Sequence, residues 1–315
     1  MALGSSLGGI YGGCSIFHIF PYFFAGKIQR VCDILLERAD DRKQKRKEDY
    51  SMDGRIQKIF QILWLLSLPL LIYLSVGDLV FTAWSTVRGR ILQEEILPLS
   101  AASSGSASLI LGIWYERWRK KQDFPNRVSW SFAVCVIMAG AGACLFFNGL
   151  MRLLPFPVKG YESVSQILYR PAFATQLLCM GIVIPIGEEL VFRGLGYGRM
   201  RTKLSYPVAV MVSAVCFGVY HGNLTQGIYA GFLGIFLAIL YEKGKSLWGC
   251  VLFHGAANGA AVVLTGISLE KRMAGSAGWT AGAMIIGGSL LVASCNKIRR
   301  DGKEREAVIH SNTML

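Results

Sequence analysis

Three short blocks in the second half of the chain combine residue types that do chemistry: Glu188-Glu189-Leu-Val-Phe-Arg193, Phe217-Gly-Val-Tyr-His221 and His254-Gly-Ala-Ala-Asn258. A carboxylate can act as a general base, imidazoles can orient water or donate hydrogen bonds, and an amide can stabilise a developing oxyanion. Together they form an inventory for hydrolysis of an acyl bond. Spacing adds to type. Glu189 and Arg193 are four residues apart, so on a helix they share a face and can pair. That leaves Glu188, about 100° round the helix, free to point elsewhere. His254 and Asn258 also share a face. Around them Gly255, Ala256, Ala257, Gly259, Ala260 and Ala261 let neighbouring helices approach closely. Each block alone has a plainer reading. The two glutamates suit a wetted helix end, His221 a structural histidine, and His254 with Asn258 a stabilising interhelical hydrogen bond.

The surroundings make these residues expensive. Of 315 residues 53% are hydrophobic and 17% charged, against about 25% charged in soluble domains. Apolar runs long enough to cross a membrane fall near 7–26, 59–84, 96–115, 128–151, 171–193, 207–222, 226–242, 247–264 and 279–295. The expectation is an all-α, polytopic transmembrane bundle of about eight or nine helices. The 96–115 run, interrupted by Ser103-Ser104-Gly-Ser106, is the weakest. Charged groups inside such helices cost about 2.5–3.5 kcal/mol each on insertion scales and are hypotheses of function by default. Pro185 and Gly187 predict a kink or local unwinding just before Glu188. The chain divides into N-terminal transmembrane helices over 1–170, with a basic cytoplasmic linker at 27–58, a core over 171–266, and a last helix with its tail over 267–315.

The formal charge of +13 does not mark a nucleic-acid binder, because Lys and Arg lie in short loops between apolar runs. With nine crossings, 25 of them fall on one side and seven on the other. The positive-inside rule then puts the C-terminus and 27–58 in the cytoplasm and the N-terminus outside. Eight cysteines without a CxxC pair read as small buried apolar side chains. No basic residue precedes the first apolar run, so the charged start of a cleaved signal peptide is missing and that run is expected to stay. One difficulty follows from this topology. If 207–222 crosses straight, His221 ends near the outer face while Glu188 and His254 sit in the inner half. The blocks can then meet only if the stretch from Gly194 to Val210 is oblique or re-entrant, or if those boundaries shift.

The three blocks resemble those of the CPBP family, the CAAX-prenyl-protease-like and Abi-type intramembrane proteases related to the Ras-converting enzyme, in which E-E-x-x-x-R, F-x-x-x-H and H-x-x-x-N occur in this order. All three match without substitution, over about residues 171–266. The resemblance implies an intramembrane endopeptidase acting on membrane-anchored or lipidated proteins or peptides. By it, Glu188 with His221 would activate the attacking water, and His254 with Asn258 would stabilise the oxyanion. Glu189, Arg193 and Phe217 would support the site. Glu188, His221 and His254 are also an acceptable catalytic zinc set, and the sequence leaves both mechanisms open. The glutamate mechanism is favoured because the third block pairs its histidine with an amide, a good oxyanion donor and a poor zinc ligand. The bilayer and a membrane-anchored or lipidated substrate are the expected partners, with no nucleic acid.

Other protease chemistries lack their residues: there is no H-E-x-x-H helix and no G-x-G-D. Asp78 after Gly77 has no evident partner aspartate, and the serine cluster at 103–106 has no histidine nearby in sequence. The remaining alternative is a transporter, a non-enzymatic scaffold, or an immunity or regulatory protein. A transporter would carry a mirrored, Gly/Pro-broken segment in the first half, and none is evident.

Overall fold

The computed structural model describes residues 50–122, 128–154 and 161–312, and over these every regular element is a helix. In chain order they are α1 (Tyr50–Arg88), α2 (Gln93–Lys121), α3 (Trp130–Leu153), α4 (Tyr161–Tyr169), α5 (Phe173–Met200), α6 (Tyr206–Tyr220), α7 (Leu224–Gly244), α8 (Leu247–Gly266), α9 (Leu269–Gly275) and α10 (Ala277–Asn312). Among the described residues seven helices are long and apolar enough to cross a membrane: α1 from Phe60, α2, α3, α5, α7, α8 and α10 as far as Ile298. A polytopic helical bundle is therefore the fold. The run at 7–26 and most of the basic 27–58 stretch lie outside the described residues.

The weakest run forms a full helix for a local reason. In α2 the hydroxyls of Ser100, Ser103 and Ser108 donate to the carbonyls of Ile96, Leu99 and Ser104, four residues back, at 2.7–2.8 Å. Hydroxyls absorbed by their own helix no longer need water, which is what an apolar surrounding requires. At the start of α2 the Leu92 N–H donates to Glu95 Oε2 at 2.9 Å, and basic Arg119, Lys120 and Lys121 occupy its last turn, matching the helix dipole.

Glycines set how closely the helices pack. A Cβ on Gly142 of α3 would stand 2.7 Å from the Gly287 carbonyl oxygen of α10, and one on Gly287 would stand 2.6 Å from the Phe146 nitrogen. Gly218 of α6 and Gly227 of α7 face each other in the same way, at 2.6 and 2.9 Å from the opposing carbonyl. Backbones in this close contact gain dispersion where lipid offers no hydrophobic drive.

The helix of the second block is short: fifteen residues make about 22 Å of helix, less than the ~30 Å of hydrocarbon. Its C-terminal half packs against α5. Ser213 Oγ donates to the Phe192 carbonyl at 3.3 Å, and the Phe192 and Phe217 rings lie 5.0 Å apart, edge to face.

Candidate active site

The segment bearing both glutamates does not break at Pro185, although the sequence predicts a kink or unwinding there. α5 runs on by widening its turns over Cys179–Val183 and Leu190–Tyr197, where bonds reach five residues back: Ile184 N–H donates to Cys179 O, and Gly198 N–H to Arg193 O. Between these π-turns lies one α-helical stretch, Ile184–Glu189. In the five-residue register Pro185 should donate to the Met180 carbonyl, but proline has no N–H. The carbonyl is satisfied from another helix: Asn258 Nδ2 of α8 donates to Met180 O at 3.0 Å. Gly255, one turn earlier on α8, abuts the Gly181 carbonyl so closely that a Cβ there would overlap it.

Glu188 (6% exposed), Glu189, Arg193 and His254 are all buried. Arg193 Nη1 pairs with Glu189 Oε1 at 3.0 Å, as the four-residue spacing predicts. The guanidinium also lies over the Phe217 ring, 4.1 Å from its centroid, and Nη2 reaches the Gly234 carbonyl of α7 at 3.4 Å. The same Glu189 oxygen meets His254 Nδ1 at 2.8 Å. An ionised carboxylate only accepts, so Nδ1 carries the proton and Nε2 faces Glu188 Oε2 at 3.7 Å. The first and third blocks, 66 residues apart between Glu188 and His254 in sequence, are thus in contact.

His221 caps α6. Its Nδ1–H donates to the Phe217 carbonyl at 2.8 Å, which leaves Nε2 without a proton on the neutral ring. The Phe217 ring stands between the two histidines, edge to face with both, at 4.8 Å from His221 and 5.6 Å from His254. His221 and His254 therefore share one aromatic ring, and Glu188 adjoins His254. Asn258 sits one turn beyond His254, with its amide on the α5 backbone. Among the described residues, no group of three or more His, Cys, Asp or Glu side chains is placed to hold a metal ion together, and no step below runs through one.

Two side chains beside this segment were not singled out in the sequence. Tyr220 packs edge to face on Tyr73 of α1 with ring centroids 6.3 Å apart, and its ring lies 5.3 Å from that of Phe192 and 5.5 Å from that of His221. A Cβ on Gly187 would stand 2.8 Å from Tyr73 Cε2 and would overlap Ser104 Oγ of α2, which reaches the Val183 and Ile184 carbonyls at 3.4 and 3.3 Å. Tyr220 stands inside the second block, beside His221. Nothing local flags Tyr73, which lies 115 residues before Glu188.

Residues 170–260 match a family described as Rce1-like: Type II CAAX prenyl endopeptidase Rce1-like. Among curated proteins the chain is similar to "Putative membrane peptidase YdiL" of Bacillus subtilis (strain 168). The two are 27% identical over 165 residues, which span 50% of this chain and 68% of that protein. It is also similar to "UPF0177 protein YxdF" of Lactococcus lactis subsp. lactis (strain IL1403), 22% identical over 134 residues, 42% of this chain and 74% of that protein. No solved structure matches the chain. The family match contains all three blocks, and at the level of the family it supports a CAAX-type intramembrane protease.

Proposed function

We propose that the chain is an intramembrane endopeptidase that hydrolyses a peptide bond of a membrane-anchored or lipidated substrate with Glu188 as general base and without a metal. The observation that carries this reading is the contact of Glu188 with His254 at 3.7 Å, inside a region of the chain that matches a protease family. In the proposed step Glu188 takes a proton from water while the water oxygen bonds to the substrate carbonyl carbon. Neutral His221, its Nδ1–H held by the Phe217 carbonyl, accepts through Nε2 and aligns that water. The carbonyl oxygen becomes an oxyanion on the α8 side. There a protonated His254 donates through Nε2, and Asn258 donates with the amide hydrogen not spent on Met180. Collapse breaks the C–N bond, and the proton on Glu188 leaves with the amine. Glu189 accepts from His254 Nδ1–H and so holds the ring's orientation, and Arg193 pairs with Glu189.

A general base contributes typically 10²–10⁴ in rate. Glu188→Gln in purified protein should therefore cut cleavage of a membrane-anchored peptide library by at least about 100-fold with the fold retained. Equal cleavage by wild type and Glu188→Gln would overturn the reading. Zinc chemistry at Glu188, His221 and His254 would appear as activity lost to a chelator and restored by Zn²⁺. Counted with 207–222 as a crossing, the loop charges support a cytoplasmic C-terminus. Labelling of cysteines introduced into the tail from outside intact cells would reverse that orientation.

A further inference from the structure

We infer that the end of the bundle where α2, α5 and α7 finish binds the headgroup of an anionic phospholipid, and that Arg199 takes its phosphate. The three ends meet in space. A Cβ on Gly198 of α5 would stand 2.7 Å from Trp118 Cη2 of α2 and 3.3 Å from the Tyr241 hydroxyl of α7, and the Tyr115 and Tyr241 hydroxyls lie 3.4 Å apart. Residues 116–121, 199–203 and 242–245, at or just past the three helix ends, hold nine basic and two acidic side chains. Both acids are already engaged. Glu116 pairs with Arg119 at 2.6 Å. Glu242 pairs with Arg201 and Lys245, each at 3.1 Å, and accepts from the Tyr197 hydroxyl at 2.9 Å. A surplus of positive charge remains at this end.

Basic residues at a span's end record orientation by themselves; Arg199 is what distinguishes a site from a charged rim. Its half-buried guanidinium lies over the Trp114 ring, 4.7 Å from the centroid, and Nη1 donates to the Leu65 carbonyl of α1 at 3.4 Å. That carbonyl is spare because its partner in the helix ladder would be Pro69, which has no N–H. One N–H of five is thereby used, and among the described residues no carboxylate pairs with the group. A planar cation backed by an indole suits phosphate oxygens, which it engages through two parallel N–H groups. The place suits a lipid. Trp114 and Trp118 occupy the last two turns of a span, as aromatic side chains do at headgroup depth. On the orientation that the loop charges support, this end meets the cytoplasmic leaflet with its anionic lipids.

The test uses the full chain, purified in neutral detergent and titrated with phosphatidylglycerol or phosphatidylcholine in mixed micelles, with bound lipid read by native mass spectrometry. None of the residues substituted belongs to the proposed catalytic centre, so the outcome is independent of Glu188→Gln. Wild type should bind phosphatidylglycerol saturably and at least about tenfold more tightly than phosphatidylcholine. One basic residue near an anionic headgroup is worth about fivefold in affinity. Arg199→Gln keeps an amide for the Leu65 carbonyl and should bind at least about fivefold more weakly. Lys297→Gln, exposed on α10, should stay within about twofold of wild type, because salt screens distant surface charges. If Arg199→Gln does not fold, Lys203→Glu, which reverses an exposed charge, serves in its place with the same expected loss. Equal affinity for the two lipids, wild-type affinity in the folded variant, or an equal loss in Lys297→Gln would overturn the inference. So would saturation of the site by inorganic phosphate at the lipid's own concentration, which would make it a site for soluble anions.

Discussion

Helices α5 and α10 both pass as membrane spans on length and hydropathy, yet half or more of α5 is buried in protein and about a quarter of α10 is. α10 turns Ile285, Ile286 and Val292 outward, each more than half exposed, and holds to α3 through glycine contacts at Gly142 and Gly287. α5 buries every residue from Gly187 to Gly198, Glu188, Glu189 and Arg193 among them. Hydropathy selects what enters the membrane. The placement of costly groups selects what lies inside the bundle, because charges at that depth need partners and lipid offers none. The contrast extends to the backbone. The α3–α10 pair, which meets through glycines at Gly142 and Gly287, is regular α-helix, while α5 widens into π-turns on both sides of its glutamates, a feature common at functional sites.

The contrast is broken first by removing a cation from each helix. Arg193→Ala leaves Glu189 buried with its charge balanced only by His254, and losing one partner of a buried pair costs about 3–5 kcal/mol. Folded yield and the thermal midpoint should fall together. Lys297→Ala near the end of α10, an exposed position, should stay within about 0.5 kcal/mol. Equal midpoints for the two variants would mean that the α5 pair is solvated. The next effect in size falls on turnover. Loss of an oxyanion donor costs about 2.7–4 kcal/mol in other hydrolases, so Asn258→Ala should slow cleavage by roughly 100- to 1000-fold with the bundle folded. Rates measured beside a circular dichroism melt would separate this from unfolding, and wild-type kinetics would assign Asn258 to the Met180 carbonyl alone. The smallest effect belongs to the glycine seam. Gly287→Leu overpacks it and should cost about 1–3 kcal/mol of stability while the folded fraction keeps its specific activity. Lost activity at an unchanged melting point would show that the α3–α10 pair is coupled to the site.

The parts of this molecule that could be read in advance are those written in local spacing. Glu189 and Arg193 pair as their separation requires, and the apolar runs from 59 onward each mark a helix. The three blocks are each confined to a single turn or two of one helix, so their faces follow from periodicity. The widened turns of α5 could not be read the same way. Pro185 and Gly187 signal disturbance, but whether a helix kinks, unwinds or widens depends on what fills the gap. Here the filler is Asn258, more than 70 residues downstream. The approach of Tyr73 and Ser104 was invisible for the same reason: they pack onto the glutamate-bearing segment from other helices, in the space left by Gly187. The expected run 207–222 is the helix Tyr206–Tyr220; what its periodicity could not give is the partner of its last turns, which set Phe217 and Tyr220 against Phe192 of α5 and Phe217 against His254 of α8.

That Glu189 and Arg193 pair within a single helix also bears on how the protein is made. During synthesis α5 enters the bilayer before α8 exists, and at about 5–20 residues per second the ribosome takes several seconds to supply His254. Throughout that interval Glu189 already has its counter-ion four residues away, on the same nascent segment. Glu188 has no such neighbour on its own segment and must wait for His254 of α8.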